Sequence, residues 1–203
     1  MKRVVFNQKG GVGKSTIATN LAAIAAARGR RTLLVDLDTQ ANASRYVLGP
    51  AAADTRPTVT DFFDQSLSYR LSAIDTREFV HPTPFPNLDV MPAGPGLADL
   101  HAKLESRSKI LKLRKALDEL EDYEEVVIDT PPALNFFTRS ALIAADACLI
   151  PFDCDDFSRH ALYVLQGHVR EVAADHNPDL AVEGIVVNQF DARARLPQQL
   201  IDE

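Results

Sequence analysis

Val4–Thr16, VVFNQKGGVGKST, decides the fold. A short apolar run gives way to a glycine-rich turn, which leads directly into an alanine-rich helix; a phosphate-binding loop requires this order of strand, turn and helix. Glycine lacks Cβ and reaches backbone conformations closed to other residues, so Gly10, Gly11 and Gly13, with Val12 between them, can bring N–H groups against an anion. The helix opening at Ser15 adds the positive end of its dipole. In such a loop Lys14 touches the β and γ phosphates, and the hydroxyl of the Ser15–Thr16 pair serves Mg2+. The spacing GxxxxGK[ST] fails at its first position, where Gln8 stands in place of glycine, and the loop carries a second lysine, Lys9.

Outward from the loop, apolar runs recur with helix-length segments between them: Arg3 to Phe6, Thr32 to Val35, Leu88 to Met91, Val126 to Ile128, Ala147 to Ile150 and Ile185 to Val187. Continuous rather than alternating hydrophobicity indicates strands buried on both faces, hence an α/β fold with a mainly parallel sheet and helices on each side, a P-loop NTPase. The first helix is expected over Ser15 to Arg28, with Ile17, Leu21 and Ile24 as its apolar stripe and Gly29 as C-cap. Short helices are expected near Asn42 and over Thr60 to Gln65. One long helix follows, from Leu97 to Leu120, with a basic stripe of Arg107, Lys109, Lys112, Arg114 and Lys115 that reads as a solvated face. The proline-rich HPTPFPN, from His81, reads as a surface connection.

Three further strand ends carry chemistry. LLVDLDTQANAS places Asp36 and Asp38 where the chain leaves the carboxyl end of the sheet, the side on which open α/β sheets bind ligands; two carboxylates there can serve metal and water, or one can cap the helix near Asn42. VVIDTPP ends in Asp129, which suits Mg2+ binding. GIVVNQFDAR ends in Asn188, whose amide offers donor and acceptor to a purine edge. NQFD also lies close to the NKxD pattern of GTP-binding proteins, with Gln189 in place of lysine. Beyond it Arg193 and Arg195 form a small basic cluster.

KGGVGKST resembles the deviant Walker A motif of the ParA/MinD family of partitioning and positioning ATPases, and the likeness extends over nearly the whole chain. It implies that Lys9 is the signature lysine, reaching the nucleotide of the partner subunit in an ATP-bound homodimer. It also implies that Asp38 orients the attacking water, with Thr39 where the family's DxDPQ has proline, and that Thr130, Pro131 and Pro132 form a switch loop. The resemblance further implies adenine read by Asn188, Mg2+ held through Ser15, Asp36 and Asp129, and non-specific DNA bound through Arg193 and Arg195. Activity would be a slow ATPase stimulated by a ParB-like or other cargo adaptor, moving a plasmid, chromosome or large protein assembly over the nucleoid. Family members usually continue for another strand and helix, so the end at Glu203 implies a short C-terminal end.

Length and composition fit one P-loop domain over residues 1–203: 46% hydrophobic and 25% charged residues are ordinary for a globular chain. No apolar run approaches the ~18 residues of a membrane span, and the expected location is cytoplasmic and nucleoid-associated. The net charge of −6 excludes a protein covered in positive potential but not a local basic patch. Cys148 and Cys154 fit a reducing compartment and form no CxxC; the loop after Asp129 has no cluster cysteines, which argues against an iron–sulfur carrier. The five histidines have no ligand-like spacing. A MinD-like membrane ATPase would need a C-terminal amphipathic helix, and none is visible. A small-molecule ligase sharing the loop would not normally need Lys9.

Overall fold

The computed structural model describes residues 1–68, 74–153 and 158–188. Cys154, Gln189, Asp191, Arg193 and Arg195 lie outside the described residues. Seven strands form one sheet: β1 (Lys2–Val5), β2 (Thr32–Asp36), β3 (His81–Pro82), β4 (Leu88–Met91), β5 (Glu125–Asp129), β6 (Ala147–Asp153) and β7 (Ala181–Asn188). Their order is β3-β4-β2-β5-β1-β6-β7, parallel throughout except at β3. The exception corrects the reading of HPTPFPN as connection alone: His81 and Pro82 pair antiparallel with Val90 and Asp89. Pro82 is tolerated there because β3 is an edge strand.

β1 lies inside the sheet, and the chain leaves it towards β2 and β4, returns through β5, and then crosses to β6 and β7. The register sets Val5 against Asp129 and Asp36 against the same Asp129, so three strand ends that are far apart in sequence terminate on one line. β2 and β5 are buried at every position, as their unbroken apolar runs imply.

Helices α1 (Lys14–Ala27) and α2 (Asn42–Leu48) cover one face. The buried stripe of α1 is Ala18, Ala22 and Ala26, not the expected Ile17, Leu21 and Ile24; Ile17 and Leu21 pack at its margin and Ile24 is 49% exposed. Alanines at i, i+4 and i+8 let the helix axis approach the sheet closely, and that brings the phosphate loop down onto the strand ends. Gly29, at φ +83°, closes the helix as expected.

The other face is covered by α3 (Val59–Gln65), α4 (Leu97–Ser106), α5 (Lys112–Asp118), α6 (Phe136–Ala144) and α7 (Ser158–His176). Here the core is aromatic: Phe62, Phe63, Phe79, Phe136 and Phe137 meet edge to face at centroid distances of 5.0 to 5.8 Å. One expectation changes on this face. The long helix is two, broken between Ser106 and Lys112 with Ser108 at φ +51°, so its basic residues do not share one stripe. The helix α6 brings Phe136 and Phe137 into the core, and all of its residues but Arg139 are buried.

Candidate nucleotide site

The loop between β1 and α1 is held from below by the strands. Phe6 N donates to Leu149 O at 3.0 Å and Asn7 Nδ2 to Pro151 O at 2.6 Å, while Asn7 Oδ1 accepts from Lys9 N at 2.9 Å. Gly11 and Gly13 have φ of +79° and +88°, where a side chain would be strained. At Gly13 a Cβ would also sit 2.5 Å from Asn188 Nδ2. That nitrogen donates to Val12 O at 3.1 Å, so the end of β7 braces the loop itself. Around Gly10 and Gly11 a Cβ would meet nothing within 4 Å, which leaves their backbone open to a ligand. Gln8, the departure from the glycine pattern, places Nε2 3.2 Å from His168 Nδ1 on α7.

Lys14 is 6% exposed, and its Nζ donates to Lys9 O at 2.7 Å. Burial lowers its pKa, with the charges of Asp129 and Asp38 acting against that. The sheet register brings those carboxylates to it. Asp129 is fully buried, and neither oxygen meets a hydrogen-bond partner. Burial first, then the charge of Asp36, push its pKa up to about 8; the nearby Ser15 hydroxyl and Lys14 oppose this without overcoming it. A buried carboxylate with no donor in full hydrogen-bond geometry, and the Ser15 hydroxyl close enough to act on it, fits a hard cation. Among the described residues no cluster of three or more acidic, His or Cys side chains could hold a metal alone. Mg2+ held by one carboxylate, a hydroxyl and phosphate oxygens needs no such cluster.

Asp36 and Asp38, adjacent in the sequence motif, are placed differently. Asp36 Oδ1 accepts from Asp38 N at 3.0 Å, and Oδ2 accepts from Ser44 N at 2.8 Å and Ser44 Oγ at 2.7 Å. Each of its oxygens accepts from the chain, which makes Asp36 the anchor of the loop and leaves Asp129 the more open of the two carboxylates. Asp38 is 6% exposed, and its Oδ1 accepts from Gln40 N at 3.0 Å in an Asx turn, with Ala41 N donating to Asp38 O at 2.9 Å. These bonds hold the loop that Thr39, in place of proline, would otherwise leave free. Ala41 stands at φ +52°, a left-handed conformation costing an alanine roughly 1–2 kcal/mol.

Lys9, at the outer edge, is nearly half exposed, and its Nζ pairs with Asp153 Oδ2 at 2.7 Å at the end of β6. Lys9, Gly10, Gly11, Val12, Gly13, Lys14, Ser15 and Thr16 therefore adjoin Asp36, Asp38, Asp129 and Asn188 at one end of the sheet, while Arg193 and Arg195 lie outside the described residues. Sequence reasoning assigned no role to the Asn7 and Ser44 side chains, whose bonds to Pro151 O and from Ala93 N join residues distant along the chain.

The raised pKa of Asp129 predicts a pH dependence. The unfolded carboxyl loses its proton near pH ~4 and the folded one near 8, so between these values the folded chain holds the extra proton. Stability present at low pH is therefore lost as pH rises through about 8. Thermal melts of the metal-free protein should show a Tm falling across that window. Asp129→Asn should flatten the fall; an unchanged slope would place the retained proton elsewhere.

The family model for an AAA domain matches residues 2–182. The chromosome partitioning protein ParA of Myxococcus xanthus is 39% identical over 98% of this chain and 68% of its own length. The sporulation initiation inhibitor protein Soj of Bacillus subtilis is 37% identical over 98% of this chain and 76% of its own. Among solved structures, cobyrinic acid a,c-diamide synthase from Mycobacterium smegmatis, with bound ADP and magnesium, superposes with a TM-score of 0.87 at 29% identity, covering 99% of this chain and 80% of that one. A plasmid partition protein from Borrelia burgdorferi superposes with a TM-score of 0.82 at 25% identity, covering 99% and 83%.

Proposed function

The chain belongs to the AAA-domain family and to its ParA and Soj group of chromosome-partitioning proteins, and we propose that it works as one P-loop domain, an ATP-dependent dimerisation switch that partitions or positions a large cargo. The observation that carries the reading is the meeting of Lys14, Asp38 and the unpartnered Asp129 beneath a glycine loop that also bears Lys9. ATP is the nucleotide and Mg2+ its metal. The loop glycines offer N–H groups to the phosphates, and Lys14 neutralises their charge. Ser15 and Asp129 hold the metal, which draws charge from the phosphate oxygens when bound. Asp36 fixes the backbone of Asp38, and the Asp38 carboxylate orients the attacking water.

Lys9 has two destinations in this scheme. In the single chain it is tied to Asp153; in the dimer it exchanges that carboxylate for the partner subunit's nucleotide, and hydrolysis returns it. ATP-bound dimers bind DNA without sequence preference through Arg193 and Arg195, and a cargo adaptor stimulates turnover in the cytoplasm, over the nucleoid. No helix among the described residues is long and apolar enough to cross a membrane. The ligase alternative shares the loop, but the ParA and Soj relatives, 39% and 37% identical over 98% of this chain, and the presence of Lys9 favour the switch.

Lys9→Ala tests the reading. The variant should bind ATP as the wild type does and remain monomeric by light scattering, because its proposed contact is made in trans; normal ATP-dependent dimers would remove the signature role. For DNA, Arg193→Ala should remove one phosphate contact per subunit. Each contact contributes roughly −0.9 to the slope of log affinity against log salt, so the dimer's slope should become shallower by about 1.8. An unchanged slope on non-specific duplex would take Arg193 off the DNA face.

A further inference from the structure

Beside the nucleotide site lies a cleft of about 490 Å³ that the scheme above does not use. One wall is the Gly49–Ala53 turn after α2 and the other is the segment that leaves β4, Ala93 to Pro95, of which Ala93 and Gly94 are buried. The size is that of a ligand pocket, typically ~300–1,000 Å³. Its surface is mostly small and apolar, with Pro50 and Pro95 facing it, and among the described residues no acidic one lines it. Two arginines do. The Arg45 guanidinium makes no ion pair or hydrogen bond among the described residues, and Arg56 commits Nη1 to Thr55 O at 2.6 Å. Two guanidiniums in one recess without a carboxylate between them are an unmatched positive pair in a chain of net charge −6.

The cleft is wired to Asp38. Ala93 N donates to Ser44 Oγ at 3.0 Å, Ser44 Oγ donates to Asp36 Oδ2, and Asp36 Oδ1 receives Asp38 N. Gly94 is fixed as well: a Cβ there would fall 2.2 Å from Thr58 Oγ1, and its carbonyl accepts from Thr60 Oγ1 at 2.9 Å. The cleft is also lined by Thr39 and the left-handed Ala41, which directly follow Asp38. A ligand seated there touches both ends of this network.

We propose that the cleft between Arg45 and Arg56 is the docking site for an acidic peptide segment of a partner protein, and that its occupation is conveyed to Asp38. Carboxylates take the planar guanidinium fork two oxygens at a time, and the small walls leave room for an extended main chain. Duplex DNA presents its phosphates on a broad convex surface, which fits a recess of this size less well. That the bound segment alters ATP turnover rests on the switch reading; the binding itself does not.

The test uses a short fluorescein-labelled peptide of alternating Glu and Ala, followed by fluorescence polarisation on the full chain. Binding should saturate, weaken about tenfold in Arg45→Ala or Arg56→Ala, and weaken further in the double variant. Both side chains are exposed, so the variants should fold, which circular dichroism checks. Lys14→Ala should bind the peptide as the wild type does, which separates a failure of this site from a failure of the nucleotide reading. Equal affinity for a control peptide with Gln in place of every Glu, or wild-type affinity in the double variant, would overturn the site. A double variant that loses duplex DNA affinity instead would make the ligand a nucleic acid and overturn the peptide. Added peptide should change the ATP turnover of the wild type and not of the double variant; Arg-dependent binding with no change in turnover would overturn the link to Asp38.

Discussion

Lys14→Ala should weaken ATP binding by roughly 10²- to 10³-fold, the cost of removing one partner of a desolvated charge contact. The expected size follows from where the ammonium sits. It is 6% exposed, and Asp129 and Asp38 hold its charge against the burial that would remove it. In the proposed scheme the phosphates become its principal partner, with few water molecules near enough to replace it. Isothermal titration with ATP and Mg2+ measures the loss. Alanine also leaves Asp129 and Asp38 without a neighbouring cation, so a melt must accompany the titration, and Lys14→Gln retains most of the side-chain volume. Wild-type affinity in a folded Lys14→Gln or Lys14→Ala protein would end the assignment of the loop.

Asp38→Ala should bind ATP and dimerise, yet turn over roughly 10²-fold or more slowly, the contribution of a positioned group to proton transfer and water alignment. Binding is spared because Lys14, Ser15 and Asp129 remain. The loop keeps part of its form because Asp36 still holds the backbone N–H of residue 38 and both bonds from Ser44, although the Asx bond to Gln40 is lost. Phosphate release under single-turnover conditions is the readout, with dimer lifetime by light scattering beside it. Wild-type turnover would move the water-orienting role away from Asp38, first to Asp36.

These two residues show how unevenly the site could be read beforehand. Lys14 was legible because the loop is local: strand, turn and helix are contiguous, and glycine at fixed offsets has few other uses. The division of labour between Asp36 and Asp38 was not, because it depends on Ser44, which reaches Asp36 only after the first turn of α2 folds back. Asn188 is a similar case. Its place at the end of a strand was readable, whereas its bond to Val12 O needs β7 to lie beside β6 and the loop together.

The helices divide the same way. The run from Leu97 to Leu120 has one helical period, yet the chain breaks it before Lys112, with Ser108 at positive φ and α4 and α5 each packing on α6. On α1 the sequence favours burying the largest side chains, and the structure buries alanines instead. Burial of apolar area rewards isoleucine, but a helix that must carry its N-terminus down to the sheet edge can approach only on small residues.

By itself the sequence determined the α/β class, the buried parallel strands, the phosphate loop and the acidic strand ends, because each is written in contiguous residues whose hydrophobic period or glycine spacing admits few alternatives. Only the tertiary structure decided which carboxylate stands bare, which is anchored, and that Arg45 and Arg56 face one recess. Those outcomes depend on strand order and register, which pair Asp36 with Asp129 across two strands and set α2 beside the segment after β4. Contacts between residues so distant along the chain leave no period in the sequence to read.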